Sequence, residues 1–155
     1  HILKRFSYNI TETTQQKVTI PPFWINMPKL FELYVYKKLQ EQFGREAVTY
    51  HLTADYTELD FLLNTPEYKM VIDAKYKTIY KNSRDIDDIR QVSGYARLKA
   101  VYNEFEIEEN KLIDCLIIYP SLEENKDLNI ENKKEISEYR NIYKLSVSIP
   151  LITNL

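Results

Sequence analysis

The chain has 155 residues, of which 44% are hydrophobic and 28% charged, values typical of a single globular domain that buries a sizeable core. The formal net charge of −2 excludes the strongly basic character of proteins that bind nucleic acid by charge alone, so any DNA contact is expected to be local or assisted by a metal ion. No apolar run approaches the roughly 20 residues that cross a bilayer, no signal peptide begins the sequence, and the single cysteine has no partner, which together predict a cytoplasmic protein without membrane association.

The N-terminal segment is predicted to be an arm rather than part of the domain. Residues 1–20 are mixed in composition and lean towards β-structure, and Pro21-Pro22 interrupts them. Because the chain begins at His1 and not at a methionine, we expect an upstream region to precede it in a longer protein. The domain itself is assigned to residues 21–155, with its core in residues 25–120.

The segment after the prolines carries the clearest helix pattern in the chain. Asn26 is a suitable N-cap, Pro28 fits the first turn, and the residues MPKLFELYVYKKLQEQF favour helix. Gly44 supplies the stop signal. A helix from residue 27 to residue 43 is therefore predicted.

Glu32 is an acidic residue at an apolar position of this helix. It lies on the stripe that contains Val35 and Leu39, so its carboxylate needs a partner. Either it pairs at the helix surface with Lys29 or Tyr36, or it is a third carboxylate of a site formed by the strands that follow.

Three short β-type runs come next, at residues 47–54, 58–63 and 68–76. Residues 64–67, with a proline at position 66, indicate a turn of about four residues between the last two runs. If this turn is symmetric, residues whose numbers sum to 133 face each other across a hairpin.

This register predicts one charged face and one apolar face. Asp60 lies opposite Asp73, and Glu58 lies opposite Lys75, on the charged face. The apolar face pairs Leu59 with Ala74, Phe61 with Ile72, and Leu63 with Met70.

The second half of the chain predicts one helix and two strands. Asp85 can cap a helix over residues 85–105, with Asp88 assisting three residues later. The apolar run at 112–120 predicts a buried strand parallel to the third, and residues 121–138 are expected to be a loop or an exposed excursion before a last strand at 143–152. The order α-β-β-β-α-β predicts an α/β fold with a central mixed sheet flanked by helices.

Two carboxylates facing each other repel unless a cation lies between them, and a part-buried pair is a common site for a hard divalent cation. The alternative is that Asp60 and Asp73 are exposed edge residues and that Lys75 is their salt-bridge partner. His51 has no companion at a metal-binding spacing and is expected to be structural.

Four elements in chain order resemble the PD-(D/E)xK nucleases of the QxxxY subset. They are Glu32 in the first helix, Asp60 in one strand, Asp73-Ala74-Lys75 in the next, and Gln91 with Tyr95 in the following helix. The segments LDFLL, VIDAKYK and DIRQVSGYA are similar, more narrowly, to the McrC-type nuclease subunits of McrBC restriction systems. The resemblance implies a restriction-endonuclease-like core.

The resemblance also implies a Mg²⁺-dependent endonuclease that hydrolyses DNA phosphodiester bonds, with Mn²⁺ as a possible substitute. Asp60 and Asp73, with the Ala74 carbonyl and with Glu32 through water, would hold one or two cations. Lys75 would position or deprotonate the attacking water and offset charge in the transition state. Catalysis would also use Gln91 and Tyr95, which would reach the phosphate or orient Lys75.

DNA phosphates would bind a basic run beside the site, formed by Lys77, Lys81 and Arg84, although a solvated loop explains these residues equally well. The chain contains no GxxxxGK[ST] phosphate loop, because its two glycines, Gly44 and Gly94, lie far apart in the sequence, so energy coupling would require a separate NTPase partner. Two alternatives remain open: a repair-type nuclease acting on DNA ends or branches, and a catalytically inactive module that binds DNA or protein.

Overall fold

The computed structural model of the chain describes residues 24–77, 85–123 and 126–149. Residues Asn26–Ile149 form one compact unit, and a second unit, His1–Ile25 with Pro150–Leu155, lies almost entirely outside the described residues. The predicted N-terminal arm is among the residues that are not described. No helix in the described ranges is long and apolar enough to span a membrane.

The elements follow the predicted order, with additions in the second half. They are α1 (Met27–Phe43), β1 (Val48–Ala54), β2 (Thr57–Asn64), β3 (Lys69–Ala74), α2 (Ile86–Tyr95), α3 (Lys99–Phe105), β4 (Asp114–Ser121), β5 (Lys134–Glu135) and β6 (Ile142–Ser148). A single 3₁₀ turn, Ile130–Asn132, precedes β5. The strands form a six-stranded sheet in the order β1-β2-β3-β4-β6-β5.

The sheet is mixed, as predicted. β1, β2 and β3 pair antiparallel, whereas β3, β4 and β6 run parallel to one another. Helices flank it, so the α/β prediction of a restriction-endonuclease-like core is confirmed. The predicted parallel pairing of β3 with β4 is also confirmed, from Met70↔Asp114 to Ala74↔Ile118.

The first helix begins and ends at the predicted residues. The Asn26 side chain accepts a hydrogen bond of 3.1 Å from the Lys29 backbone N–H, which satisfies one of the free donors of the first turn. At the other end Gly44 has φ = 87°, a conformation that side chains of other residues disfavour. Local capping signals are therefore sufficient to define α1.

The β2–β3 register agrees with the prediction over four pairs, from Phe61↔Ile72 to Asn64↔Lys69. The predicted Leu59–Ala74 pair is wrong, because the ladder ends at Phe61 and the two residues pack in different cores, Leu59 with Val71 and Ala74 with Ile72. Beyond Phe61, β2 no longer follows β3.

The expectation that the hairpin has one apolar and one charged face is also wrong, because both faces of the sheet are covered. One core contains α1 residues such as Val35 together with Phe61 and Ile72. The other contains the apolar residues of α2 and α3 together with Leu62 and Val71. Charged groups are thus excluded from the middle of the hairpin and gather at its end.

The predicted helix over 85–105 is interrupted. It ends at Tyr95, and α3 begins at Lys99 after Leu98 takes an extended conformation. The Arg97 and Leu98 N–H groups bond to the carbonyls of Gly94 and Tyr95, which tightens the last turn. Both halves bury apolar side chains on the same core, so the break redirects the chain and keeps its apolar face inward.

The described part of segment 121–138 is mostly loop, as one of the two predicted alternatives has it, but it is not uniformly exposed. Leu128, Ile130 and Ile136 are buried, the first two in the core beneath α1 and the third in the opposite core. These isolated apolar residues pack the segment against the sheet. The average polarity of the segment does not reveal them, because most of their neighbours are polar.

Candidate active site

Asp60 and Asp73 come together where the β2–β3 ladder ends. Asp60 Oδ2 accepts a hydrogen bond of 2.8 Å from the Ala74 backbone N–H, which ties the departing β2 strand to the end of β3. The Asp73 side chain is almost fully buried. The alternative that both aspartates are exposed edge residues is excluded, because neither is exposed.

The charge of Asp73 is only partly balanced. Lys75 Nζ lies 2.9 Å from Asp73 Oδ2 and forms an ion pair with it. This oxygen is nevertheless buried and accepts no hydrogen bond of normal geometry from the described residues, so the contact acts through charge rather than through an aligned hydrogen bond. A buried, negatively charged oxygen without an aligned donor is suited to a cation.

The electrostatics of the two aspartates are those of a cation site. Burial and the nearby charge of Asp73 raise the pKa of Asp60 from 3.8 to about 6. Burial also raises the pKa of Asp73, with opposition from Lys75. Burial alone would lower the pKa of Lys75, but the charge and contact of Asp73 outweigh it and the pKa is raised, so Lys75 remains a cation near neutral pH.

A chain of contacts leads from this ion pair to α2. Lys75 Nζ donates to Gln91 Oε1 at 2.7 Å, and Gln91 Nε2 donates to the Tyr95 hydroxyl at 2.7 Å. Gln91 and Tyr95 face the same way because they are four residues apart in the helix. The amide fixes the ammonium group, and the structure thus joins Asp73, Lys75, Gln91 and Tyr95.

Glu32 approaches from α1 on the other side of the sheet, and its charge contributes to the raised pKa of Asp60. Its Oε1 atom contacts three groups: Lys29 Nζ at 3.0 Å, the Tyr50 hydroxyl at 2.7 Å and His51 Nε2 at 2.5 Å. Burial opposes ionisation, but the contacts with Tyr50, Lys29 and His51 bring its pKa below the ordinary value. Of the two partners that the sequence suggests, Lys29 contacts Glu32 and Tyr36 forms no hydrogen bond with it among the described contacts, whereas the sequence gives no sign of Tyr50 and His51.

The basic residues predicted to bind DNA are only partly described. Lys77 Nζ bonds to Asp85 Oδ2 at 2.6 Å and to Asp88 Oδ1 at 2.8 Å, and Asp88 is buried against the Tyr119 hydroxyl. Asp85 caps α2 as predicted, but Asp88 serves this buried network. Lys81 and Arg84 lie outside the described residues, so their contact with DNA stays a prediction.

The residues present fit a hard divalent cation of the Mg²⁺ type. Within the described ranges, no group of three His, Cys, Asp or Glu side chains is arranged to hold a metal. Mg²⁺ usually binds through only one or two carboxylates, with water and substrate phosphate completing its shell. Asp60 and Asp73, which repel each other and include a buried oxygen without an aligned donor, meet that requirement.

Comparisons with known proteins identify a family and a similar fold. Residues 2–120 match the family described as McrBC 5-methylcytosine restriction system component. The fold is similar to a chain in the refined half-complex of Thermococcus gammatolerans McrB AAA+ hexamers with bound McrC, with a TM-score of 0.54 at 16% identity over 84% of this chain. The chain spans 30% of the length of that solved chain. No curated protein matches.

Proposed function

The chain belongs to the McrBC 5-methylcytosine restriction system component family, and we propose that it is the nuclease component of such a system, hydrolysing DNA phosphodiester bonds with Mg²⁺, which Mn²⁺ can replace. We assign it to the QxxxY subset of the PD-(D/E)xK nucleases. The observation that supports this most is the continuous set of contacts from Asp73 through Lys75 and Gln91 to Tyr95, beside Asp60.

Asp60, Asp73 and the Ala74 carbonyl would hold the cation directly, and Glu32 would reach it through a bound water. When bound, the cation supplies charge that polarises the phosphate and lowers the pKa of a coordinated water. Asp60 has a pKa of about 6, so it is largely ionised at pH 8 and available as a ligand. Below pH 6 a proton competes for the same carboxylate.

Lys75 acts in this proposal as a cation and not as a base. Its pKa is raised, so the ammonium group keeps its proton near neutral pH. It therefore orients the attacking water by donating a hydrogen bond and stabilises negative charge that develops on the phosphate oxygens. Gln91 keeps the ammonium in place, and the Tyr95 hydroxyl, which accepts from Gln91, has its own proton to donate to a phosphate oxygen.

A separate NTPase would supply movement along DNA and target recognition. The chain has two glycines and lacks a GxxxxGK[ST] loop. The solved complex with a similar fold consists of McrB AAA+ hexamers with bound McrC. We therefore propose an AAA+ NTPase and DNA as the two partners, and the cytoplasm as the location.

Cleavage of supercoiled plasmid DNA by the full-length protein with its NTPase partner tests the proposal. Wild-type protein should cut with Mg²⁺ or Mn²⁺ and not with excess EDTA. Asp73→Asn and Lys75→Ala should lower cleavage at least 100-fold while remaining folded. Lys99→Ala is the matched control, because this lysine is exposed and pairs only loosely with Glu109 at 3.8 Å.

The outcomes separate the possible functions. Cleavage unaffected by Asp73→Asn would reject the assigned site. Activity only on linear or branched DNA would favour a repair-type nuclease, because closed circular DNA offers no end. Binding to DNA without cleavage under every metal condition would identify a catalytically inactive module.

A further inference from the structure

Three groups converge on a single oxygen of Glu32. Oε1 accepts from Lys29 Nζ and from the Tyr50 hydroxyl, and it lies 2.5 Å from His51 Nε2. Lys29 also donates to the Tyr50 hydroxyl at 2.7 Å, so the donors support one another. Within the described residues, the other carboxylate oxygen, Oε2, takes no part in this cluster.

The backbone is distorted to make this convergence possible. Tyr50 and His51 are consecutive in β1, and consecutive side chains of a regular strand point to opposite faces. Here both reach Glu32 on the α1 side, with their rings stacked at a centroid distance of 3.8 Å. His51 has φ = 57°, in the left-handed region that residues other than glycine rarely adopt.

The distortion is confined to this point of the β1–β2 ladder. Tyr50 pairs with Phe61 and Leu52 pairs with Leu59, but the ladder has no pair at His51. Tyr50 and Phe61 pack in the core beneath α1, whereas Leu52 and Leu59 pack in the opposite core, so the strands change face across His51 and Asp60. The strained residue therefore lies directly beside a carboxylate of the site.

The left-handed backbone conformation of His51 is not explained by burial of its side chain in a core. The imidazole is part-exposed, and its Nδ1 atom lies 3.3 Å from the largely exposed Glu58. Backbone strain that brings a polar side chain to a site, rather than into a core, is a mark of function.

We propose that Lys29, Tyr50 and His51 are positioning residues that fix the Glu32 carboxylate at the edge of the Asp60–Asp73 site. By engaging Oε1 they restrict rotation of the carboxyl group and leave Oε2 for the cation or for a water bound to it. This inference rests on the proposed nuclease function, because without a bound cation there is no ligand towards which the Glu32 carboxylate would need to be oriented. Groups that orient a ligand of a metal typically change affinity or activity by about 10- to 100-fold when removed.

Two variants test the clamp formed by these three residues. Tyr50→Phe removes the hydroxyl and keeps the ring that stacks on Tyr36 at 4.5 Å. His51→Asn removes the contact with Glu32 while tolerating the left-handed backbone, so a loss is not due to added strain. Tyr36→Phe is the matched control, since it removes a hydroxyl from the same aromatic stack without touching Glu32.

Mn²⁺ affinity, measured by electron paramagnetic resonance, gives a readout that is independent of turnover. We expect Tyr50→Phe and His51→Asn to weaken Mn²⁺ binding about tenfold and to lower kcat about tenfold with KM for DNA unchanged. Tyr36→Phe should stay within about twofold of wild type in all three quantities. In a Glu32→Gln background Tyr50→Phe should cause no further loss, because the clamp acts through Glu32.

Each result decides the question. Wild-type levels of Mn²⁺ binding and kcat in both variants would overturn the clamp while leaving the nuclease assignment intact. A loss from Tyr50→Phe that persists in the Glu32→Gln background would also overturn it. A wild-type protein that neither binds Mn²⁺ nor cuts DNA would overturn the proposed function and the clamp together.

Discussion

Asp60→Asn is expected to stabilise the metal-free protein while it abolishes cleavage. Burial and the charge of Asp73 hold the pKa of Asp60 at about 6, against 3.8 for an ordinary aspartate. The folded protein therefore binds this proton more tightly than the unfolded chain does. At pH 8 the carboxylate is ionised in both states, and its ionisation destabilises the fold.

The magnitude follows from the pKa. Each tenfold change in an acid dissociation constant corresponds to about 1.4 kcal/mol, so a pKa of about 6 instead of 3.8 corresponds to about 3 kcal/mol at pH 8. Asparagine is neutral and keeps an oxygen for the Ala74 N–H, but its buried amide protons need acceptors, which costs about 1–2 kcal/mol. A net gain of about 1–2 kcal/mol in the free energy of unfolding is expected.

Urea unfolding with EDTA at several pH values measures this gain. Stability of the wild type should rise as the pH falls from about 7 towards 4, because protonation of Asp60 removes the unfavourable charge. The advantage of Asp60→Asn should fall to zero over the same range and then reverse, because the amide protons of the asparagine still lack acceptors. Asp87→Asn serves as the control, because Asp87 is exposed and its loss should change stability by less than about 0.5 kcal/mol at any pH.

The reasoning fails if Asp60→Asn is no more stable than wild type at pH 8, or if its advantage persists unchanged at pH 4. Mg²⁺ provides a second check. Binding to the folded state should stabilise wild type in proportion to the logarithm of free Mg²⁺ above its dissociation constant. Asp60→Asn should lose most of that dependence.

Three further outcomes are expected from the structure. Burial raises the pKa of the Cys115 thiol to about 12, so native protein should resist iodoacetamide at pH 8 and react fully in urea, and rapid native labelling would contradict its burial. Tyr56→Gly should raise the free energy of unfolding in urea by about 1 kcal/mol, because Tyr56 is fully exposed and has φ = 60° in a two-residue hairpin turn, where the sequence Asp-Gly is favoured. A loss of stability would show that the tyrosine side chain has a packing role. Asp88→Ala should lower the free energy of unfolding by about 2–4 kcal/mol, because it removes the acceptor that Lys77 and the Tyr119 hydroxyl share. A decrease below about 0.5 kcal/mol would show that this network does not stabilise the fold.

Signals that act within a few residues account for what the sequence predicted correctly. The cap at Asn26 and the glycine at position 44 define α1, and the loop at 64–67 sets the β2–β3 register. Lys75 and Gln91, whose side chains the structure brings into contact, belong to separate elements whose order in the chain is itself a pattern, and their catalytic roles stay a prediction. Such features require no knowledge of how distant segments pack.

The features that were missed depend on tertiary packing. In the sequence, Tyr50, His51 and Leu52 lie within an ordinary β-type run, in which consecutive side chains are expected on opposite faces of the sheet. Nothing in this pattern shows that His51 adopts a left-handed conformation and that its side chain lies on the same face as that of Tyr50. Likewise, the polar composition of residues 121–138 conceals Ile130, which is fully buried. In each case a contact with a remote element overrides the local preference.

Within the described residues, Asp60 lies where the charges of groups from both faces of the sheet act together. Glu32 belongs to α1 on one face of the sheet and Gln91 to α2 on the other, and the buried ladder from Phe61↔Ile72 onwards separates them. Beyond that pair β2 leaves β3, and Asp60 is influenced both by the charge of Glu32 and by that of Lys75. In a regular ladder Asp60 would lie on the same face as Leu62, away from α1, so the early end of β2–β3 pairing and the distortion at His51 both coincide with the place where Asp60 departs from that pattern.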